Sequence, residues 1–170
     1  MPHAMIPKFE WDNPDKVLAE VRTMLGDRVA GMKAVPERAI RRGTAELLKL
    51  VQKYAPKKTS TLVRSLTMVV EKIAEDLVEG RVGTWLDYGR YLEEGTGIFG
   101  PKKRAITIIA NKKKALYWGG SDEDGDALIR KRVVVKGIKP RGYFAKAIAE
   151  FLPRFVAIIE EELAREAGRG

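Results

Sequence analysis

The acidic stretch Gly119–Asp126 is the first place in this chain to look for chemistry. Asp122, Asp124 and Asp126 alternate as the first ligands of a calcium loop do. The pattern then fails, with Ala127 where the sharp-turn glycine belongs and Val133 where the bidentate glutamate belongs. The stretch reads as a solvated loop. Glu93 and Glu94 are adjacent, so on a helix they face different ways and make a poor acid/base pair. Lys57-Lys58-Thr59-Ser60 suggests phosphate binding but lacks the glycine-rich lead of a phosphate loop. Ser65 as a nucleophile would need a base and an oxyanion site, and the sequence offers neither. There is no cysteine, which excludes disulfides, thiolate zinc sites and cysteine nucleophiles. The single histidine, His3, lies near the N-terminus and cannot build a multi-histidine metal site. These residues predict no enzyme, no cofactor and no metal centre.

The charge is more informative. The 170 residues carry a formal net charge of +9, and residues 101–145 hold twelve basic and four acidic side chains. The basic residues cluster as Lys102-Lys103-Arg104, Lys112-Lys113-Lys114 and Arg130-Lys131-Arg132, followed by Lys136, Lys139 and Arg141. Such a region attracts polyanions, DNA included, with a strength that fades as salt rises. It fits solvated loops or an acidic neighbouring subunit equally well, and no motif for reading nucleic-acid sequence accompanies it. Hydrophobic residues make up 45% of the chain, a globular composition. No apolar run reaches the roughly 18 residues of a membrane span. Met1–Pro7 lacks the basic and apolar regions of a signal peptide. Amides are scarce and ionic side chains plentiful, which fits a thermophilic source.

The elements that must position these residues follow from periodicity. Asn13-Pro14 predicts a helix start, and Val17, Val21, Met24 and Leu25 continue it to Gly26. Residues 1–35 are read as an extension with this one helix, and 36–170 as a single domain. A stronger helix opens at Pro36, with Ile40, Thr44, Leu47, Val51 and Tyr54 forming one apolar stripe. Pro56 stops it. Leu66–Glu71 and Val78–Val82 alternate as two strands of a hairpin, with Gly80 and Gly83 weakening the second or marking a bulge. Ala105–Ala110, Leu116–Trp118 and Ile129–Val135 are further strands. In the last of these, Ile129, Val133 and Val135 face inward and Arg130 and Arg132 outward. Phe144, Ile148, Phe151, Phe155 and Ile158 keep helical spacing across Pro153, predicting one kinked helix from about Arg141 to Ala167. Glu160, Glu161 and Glu162 oppose the dipole at its end, which predicts exposure there or a basic partner. The fold class is α+β: N-terminal helices, an antiparallel sheet of about four to five strands, and a long C-terminal helix packed on the sheet.

Two segments carry a resemblance. The first is Ala55-Pro56, Thr59, Leu62 and Ser65. The second is Tyr88, Tyr91, Leu92, Glu93, Gly95 and Thr96. A closing segment, Gly137–Phe144, contains Pro140 and Phe144, with Ala147 after it. In order and spacing this set, spread over about residues 36–165, resembles the tail-completion (minor tail, head–tail joining) proteins of long-tailed phages. Ser60 departs from that pattern, which usually has glycine. It implies either a strained positive φ or a cap on a short helix over residues 61–66.

The resemblance implies a structural virion protein of the phage neck, assembled in the host cytoplasm. It implies a ring, a hexamer, on top of the tail. Its neighbours would be the tail terminator and the head-closure or portal-side proteins, with DNA passing through the lumen without sequence readout. The alternatives are a terminator, head-closure or adaptor protein of the same neck, or a basic nucleic-acid-binding protein. The motif residues themselves read as fold determinants, with Tyr88, Tyr91 and Leu92 pinning a short helix to the sheet. The expected assembly or DNA contacts are Lys102, Lys103, Arg104, Lys112, Lys113, Lys114, Arg130 and Arg132, with Glu160 and Glu161. The loops 95–104 and 119–128 are expected to order on docking.

Overall fold

The computed structural model describes residues 37–57, 60–74, 77–110, 115–121 and 127–168. The expected helix at 14–25, the calcium-like Asp122, Asp124 and Asp126, Thr59, and Lys112–Lys114 lie outside these residues. The elements run α1 (Glu37–Tyr54), α2 (Thr61–Ser65), β1 (Leu66–Ala74), β2 (Leu77–Thr84), α3 (Asp87–Glu94), a 3-10 turn (Gly97–Phe99), β3 (Ile106–Ile109), β4 (Leu116–Ser121), β5 (Ala127–Arg130), β6 (Arg132–Val135) and α4 (Tyr143–Ala167). The α+β class is as expected. Among the described residues, however, the strands form three antiparallel pairs, β1–β2, β3–β6 and β4–β5, where one sheet of four to five was predicted. The chain divides into two compact units, residues 1–90 with 142–170, and residues 91–141.

In the first unit α1 is covered on two sides. One side packs on α4, where Ala39, Leu152 and Ile159 form a buried cluster joined by Ile148, Phe155, Val156, Ile158 and Leu163. The approach is close: a Cβ on Gly43 would lie 2.5 Å from the Phe155 ring. The other side meets β2, where a Cβ on Gly80 would lie 1.9 Å from Thr44 Oγ1. The long C-terminal helix therefore packs chiefly on α1, not on a sheet.

Burial on α1 follows from this. Thr44 and Val51 of the expected stripe are buried, but so are Ala39, Gly43 and Leu50, which lie off it. Ile40, Leu47 and Tyr54 are only half-buried. A helix covered on two sides buries a wider arc than one stripe, and alanine and glycine contribute little to an apolar period. Gly80 neither ends β2 nor makes a bulge. It pairs in register with Val70, and the irregularity falls on β1 between Lys72 and Ala74.

α4 is one continuous helix of 25 residues through Pro153. Phe151 and Phe155, one turn apart, stack with ring centroids at 5.0 Å. Charged side chains close the rim of the helix pair. Lys53 Nζ lies 2.8 Å and Tyr54 Oη 2.6 Å from Glu150, and Arg154 reaches Glu46 at 2.7 Å.

In the second unit, Ile106↔Val135 through Ile109↔Arg132 set the β3–β6 register, and Leu116↔Arg130 begins β4–β5. The expected strand Ile129–Val135 is thus two strands. The chain changes partner at Lys131, so side-chain alternation restarts, and Ile129 is exposed instead of inward.

Candidate functional site

The first motif folds into the core of the first unit. Ala55, Leu62 and Ser65 are buried, as is Phe144 of the closing segment, while Pro56 is half-buried. Ser65 Oγ donates to the Leu62 carbonyl at 2.7 Å and lies 2.6 Å from Thr84 Oγ1. Thr84 Oγ1 also accepts the Leu86 N–H at 3.2 Å. Buried among these partners, Ser65 is a structural hydroxyl.

Gly89 completes the arrangement. Its carbonyl accepts the Tyr143 hydroxyl at 3.2 Å, and a Cβ there would lie 2.7 Å from Thr84 Cγ2 and 3.4 Å from Leu62 Cδ1. The contact expected of Tyr88 and Tyr91 is therefore made by the glycine between them, and both tyrosines are exposed. Thr84, Gly89 and Tyr143 were not anticipated. A glycine inside an eight-residue helix was the one available signal, since it is unfavourable there without a packing reason.

Of the two alternatives for Ser60, the strained positive φ is the one observed, and the cap is not made. It takes φ 55° and stands at the N-cap of α2, yet its side chain makes no capping hydrogen bond.

The second motif joins the closing segment within the second unit. Thr96 N–H donates to the Ile138 carbonyl at 2.9 Å, and the Ile138 N–H donates to Thr96 Oγ1 at 2.9 Å. Ile98 N–H donates to the Lys136 carbonyl at 2.9 Å, and Arg141 N–H to the Leu92 carbonyl at 2.7 Å. Gly97 and Gly137, with φ 66° and 97°, allow the approach: a Cβ on Gly97 would lie 2.1 Å from the Lys136 oxygen, and one on Gly137 2.1 Å from the Thr96 oxygen. Gly95 packs on Pro140 in the same way, with 2.8 Å from its would-be Cβ to Pro140 Cδ. Residues 95–100 are thus held by backbone hydrogen bonds, where a loose loop was expected. Glu93 is half-buried beside this clamp.

Lys102, Lys103, Arg104, Arg130 and Arg132 are all exposed. Lys103 takes φ 47° in the turn after the clamp. Lys139 Nζ sits 5.6 Å over the Phe99 ring.

Of the acidic run on α4, Glu160 and Glu161 are exposed, but Glu162 is buried. The basic partner lies within the same chain. Arg42 reaches Glu162 at 2.5 Å and Glu161 at 2.8 Å, and Arg165 reaches Glu162 at 3.0 Å. The Arg42 hydrogen bond holds the Glu162 carboxyl below the usual carboxylate range, aided by the charges of Arg165, Arg42 and Arg38. Lys53 and Tyr54 do the same for Glu150 through hydrogen bonds.

Among the described residues no group of three or more His, Asp or Glu side chains could hold a metal ion, and no helix is long and apolar enough to cross a membrane. Of the motif residues, Ser65, Thr96 and Gly95 make internal contacts. Residues 15–95 match the family model HK97-gp10_like, described as "Bacteriophage HK97-gp10, putative tail-component". Over that segment, just under half of the chain, the sequence is similar to a phage tail-component family, consistent with the resemblance of its motifs. No curated protein and no solved structure matches the chain.

Proposed function

We propose that this chain is a tail-completion protein of the phage neck. It forms a ring, a hexamer, on top of the tail and joins it to the head-closure side, with DNA passing through. It works in the virion, after assembly in the host cytoplasm, between the tail terminator and the head-closure or portal-side proteins. The clamp between Thr96 and Ile138 carries this reading. The matched segment ends at residue 95, yet the closing segment 42 residues beyond Thr96 is hydrogen-bonded to the second motif. The end of the second motif and the closing segment therefore form one structural piece within the second unit. The exposed basic residues of 101–141 supply a surface for acidic neighbours or for passing DNA, by charge and without base readout.

The test is a phage lacking this gene. Filled heads and complete but unjoined tails are expected, with joining restored when purified protein is added to the lysate. Joined, infectious particles that lack the protein would refute the proposal. Portal, head-closure and tail-tube genes beside this one would support it.

A further inference from the structure

Two exposed surfaces of unlike chemistry remain once the core is accounted for. Tyr88 and Tyr91 stand three residues apart on α3 and so share one side of it, and Trp85 is exposed in the lead-in two residues before the helix. Trp85 is 43% and Tyr91 51% exposed. The helix itself, Asp87–Glu94, contains three carboxylates and one arginine. The second surface is the β3–β6 ribbon. Its register puts Ile109 and Arg132 opposite each other, with Val134 on the same face. Ile109 and Val134 are each 57% exposed. Arg104 precedes β3, and Arg130 and Lys131 precede β6, so the ribbon is strongly basic. Among the described residues, neither strand has a ladder partner on its outer edge.

We infer that the β3–β6 ribbon of one copy docks on the Tyr88–Tyr91 side of α3, with the exposed Trp85 before it, in a second copy. The inference rests on the ring reading above and names the contact that builds the ring. The aliphatic face of Ile109 and Val134 leaves water against the aromatic rings. The Arg132 guanidinium stacks on those rings, and its charge meets the acidic helix. Phosphate would satisfy the arginines but leave Ile109 and Val134 in water, so the occupant is a protein surface, not nucleic acid. Ribbon against ribbon would set Arg130, Lys131 and Arg132 against their own copies, which opposes a two-fold contact. A contact between two different patches leaves one of each free, so it repeats from subunit to subunit and closes into a ring when the rotation allows.

Sedimentation of the full chain, up to about 1 mM, tests this. One variant carries Trp85→Ser with Tyr91→Ser, the other Ile109→Ser with Val134→Ser. Each alone is expected to stay monomeric. Mixed together, each supplies the patch that the other lacks, so a two-chain species and nothing larger should form. A mixture that stays monomeric, or a variant that self-associates like wild type, overturns the inference. If the Trp85 variant fails to fold, Tyr91→Ser alone and Arg132→Glu take the same roles.

A second measurement suits a weak contact and exploits the absence of native cysteine. Under oxidation, an equimolar mixture of Tyr91→Cys and Ile109→Cys chains should yield the mixed disulfide dimer well above the twofold excess over each homodimer that random pairing gives. A yield at or below that random proportion overturns the contact. If no contact forms but the protein still enters particles, the neck reading stands and this inference fails. If both patches associate but the protein never enters particles, the contact stands and the neck reading fails. If Ile109→Ser with Val134→Ser loses only binding to duplex DNA, the ribbon belongs to nucleic acid and the inference fails.

Discussion

Replacing Ser60 by glycine should make this protein more stable. Ser60 sits at φ 55° and ψ −7°, in the left-handed region. There a Cβ costs an L-residue about 1–2 kcal/mol. Glycine removes that cost but carries about 0.5–1 kcal/mol of extra unfolded-state entropy. The backbone bonds Ser60 N–H to Lys57 O at 3.2 Å and Arg64 N–H to Ser60 O at 3.0 Å survive the change. The hydroxyl makes no capping hydrogen bond, so nothing is lost with it. The net gain lies between about 0 and 1.5 kcal/mol, and its midpoint of about 0.75 kcal/mol raises the melting temperature of a chain of this length by about 1.5–3 °C. Thermal melts and urea titrations followed by far-UV circular dichroism would measure it. Ser60→Ala is the control. It keeps the Cβ and removes only the hydroxyl, so it should change stability by less than about 0.5 kcal/mol. If Ser60→Ala instead loses about 1 kcal/mol, the normal worth of an N-cap, and Ser60→Gly gains nothing, the hydroxyl caps α2 and the reasoning is wrong.

Gly80→Ala should destabilise by about 1–3 kcal/mol, because its Cβ overlaps a buried threonine hydroxyl that donates to the Ile40 carbonyl. A double-mutant cycle with Thr44→Ala should recover part of that loss, and strict additivity would show that the two residues do not meet. Gly97→Ala forces a Cβ into a positive φ and against the Lys136 carbonyl, so it should open the clamp and speed hydrogen exchange at the Ile138 amide. Unchanged exchange would count against the clamp. Glu162 and Glu150 have folded pKa values below their ordinary value of 4.5, so their contribution is present above that pH and lost as pH falls through the depressed values. The melting temperature should drop across that acid window, and Glu162→Gln should lower it at neutral pH and flatten the drop. A parallel acid curve for the variant would mean that Glu162 does not titrate as its arginine partners require.

Much of the first unit was legible because its signals are local. Pro56 closes α1 wherever it is placed, since the residue before a proline avoids helical geometry. The helical spacing of Phe144, Ile148, Phe151, Phe155 and Ile158 carried α4 through Pro153, because an unbroken helical stripe outweighs one missing hydrogen bond at an exposed position. The strain at Ser60 was readable too, because a positive φ is a property of one residue and its neighbours.

Partner choice was not legible. The strand at 129–135 has one continuous alternation, and nothing in it marks that Lys131 is where the chain passes from β4 to β3. Tyr88 and Tyr91 have the types of core residues, yet Gly89 makes the close contact because only a missing Cβ lets α3 reach Thr84 and Leu62. Glu162 looked like its two neighbours, but the turn of α4 directs it to Arg42, 120 residues earlier.

The sequence by itself determined the main element types, the proline break after α1, the basic stretch and the family motifs, all of which depend on residues close together in the chain. Tertiary structure alone decided which face of α1 each neighbour covers, which strands pair, and which glycines permit close approach. Those choices depend on distances between segments far apart in sequence, and a glycine carries no local sign of what will come to lie against it.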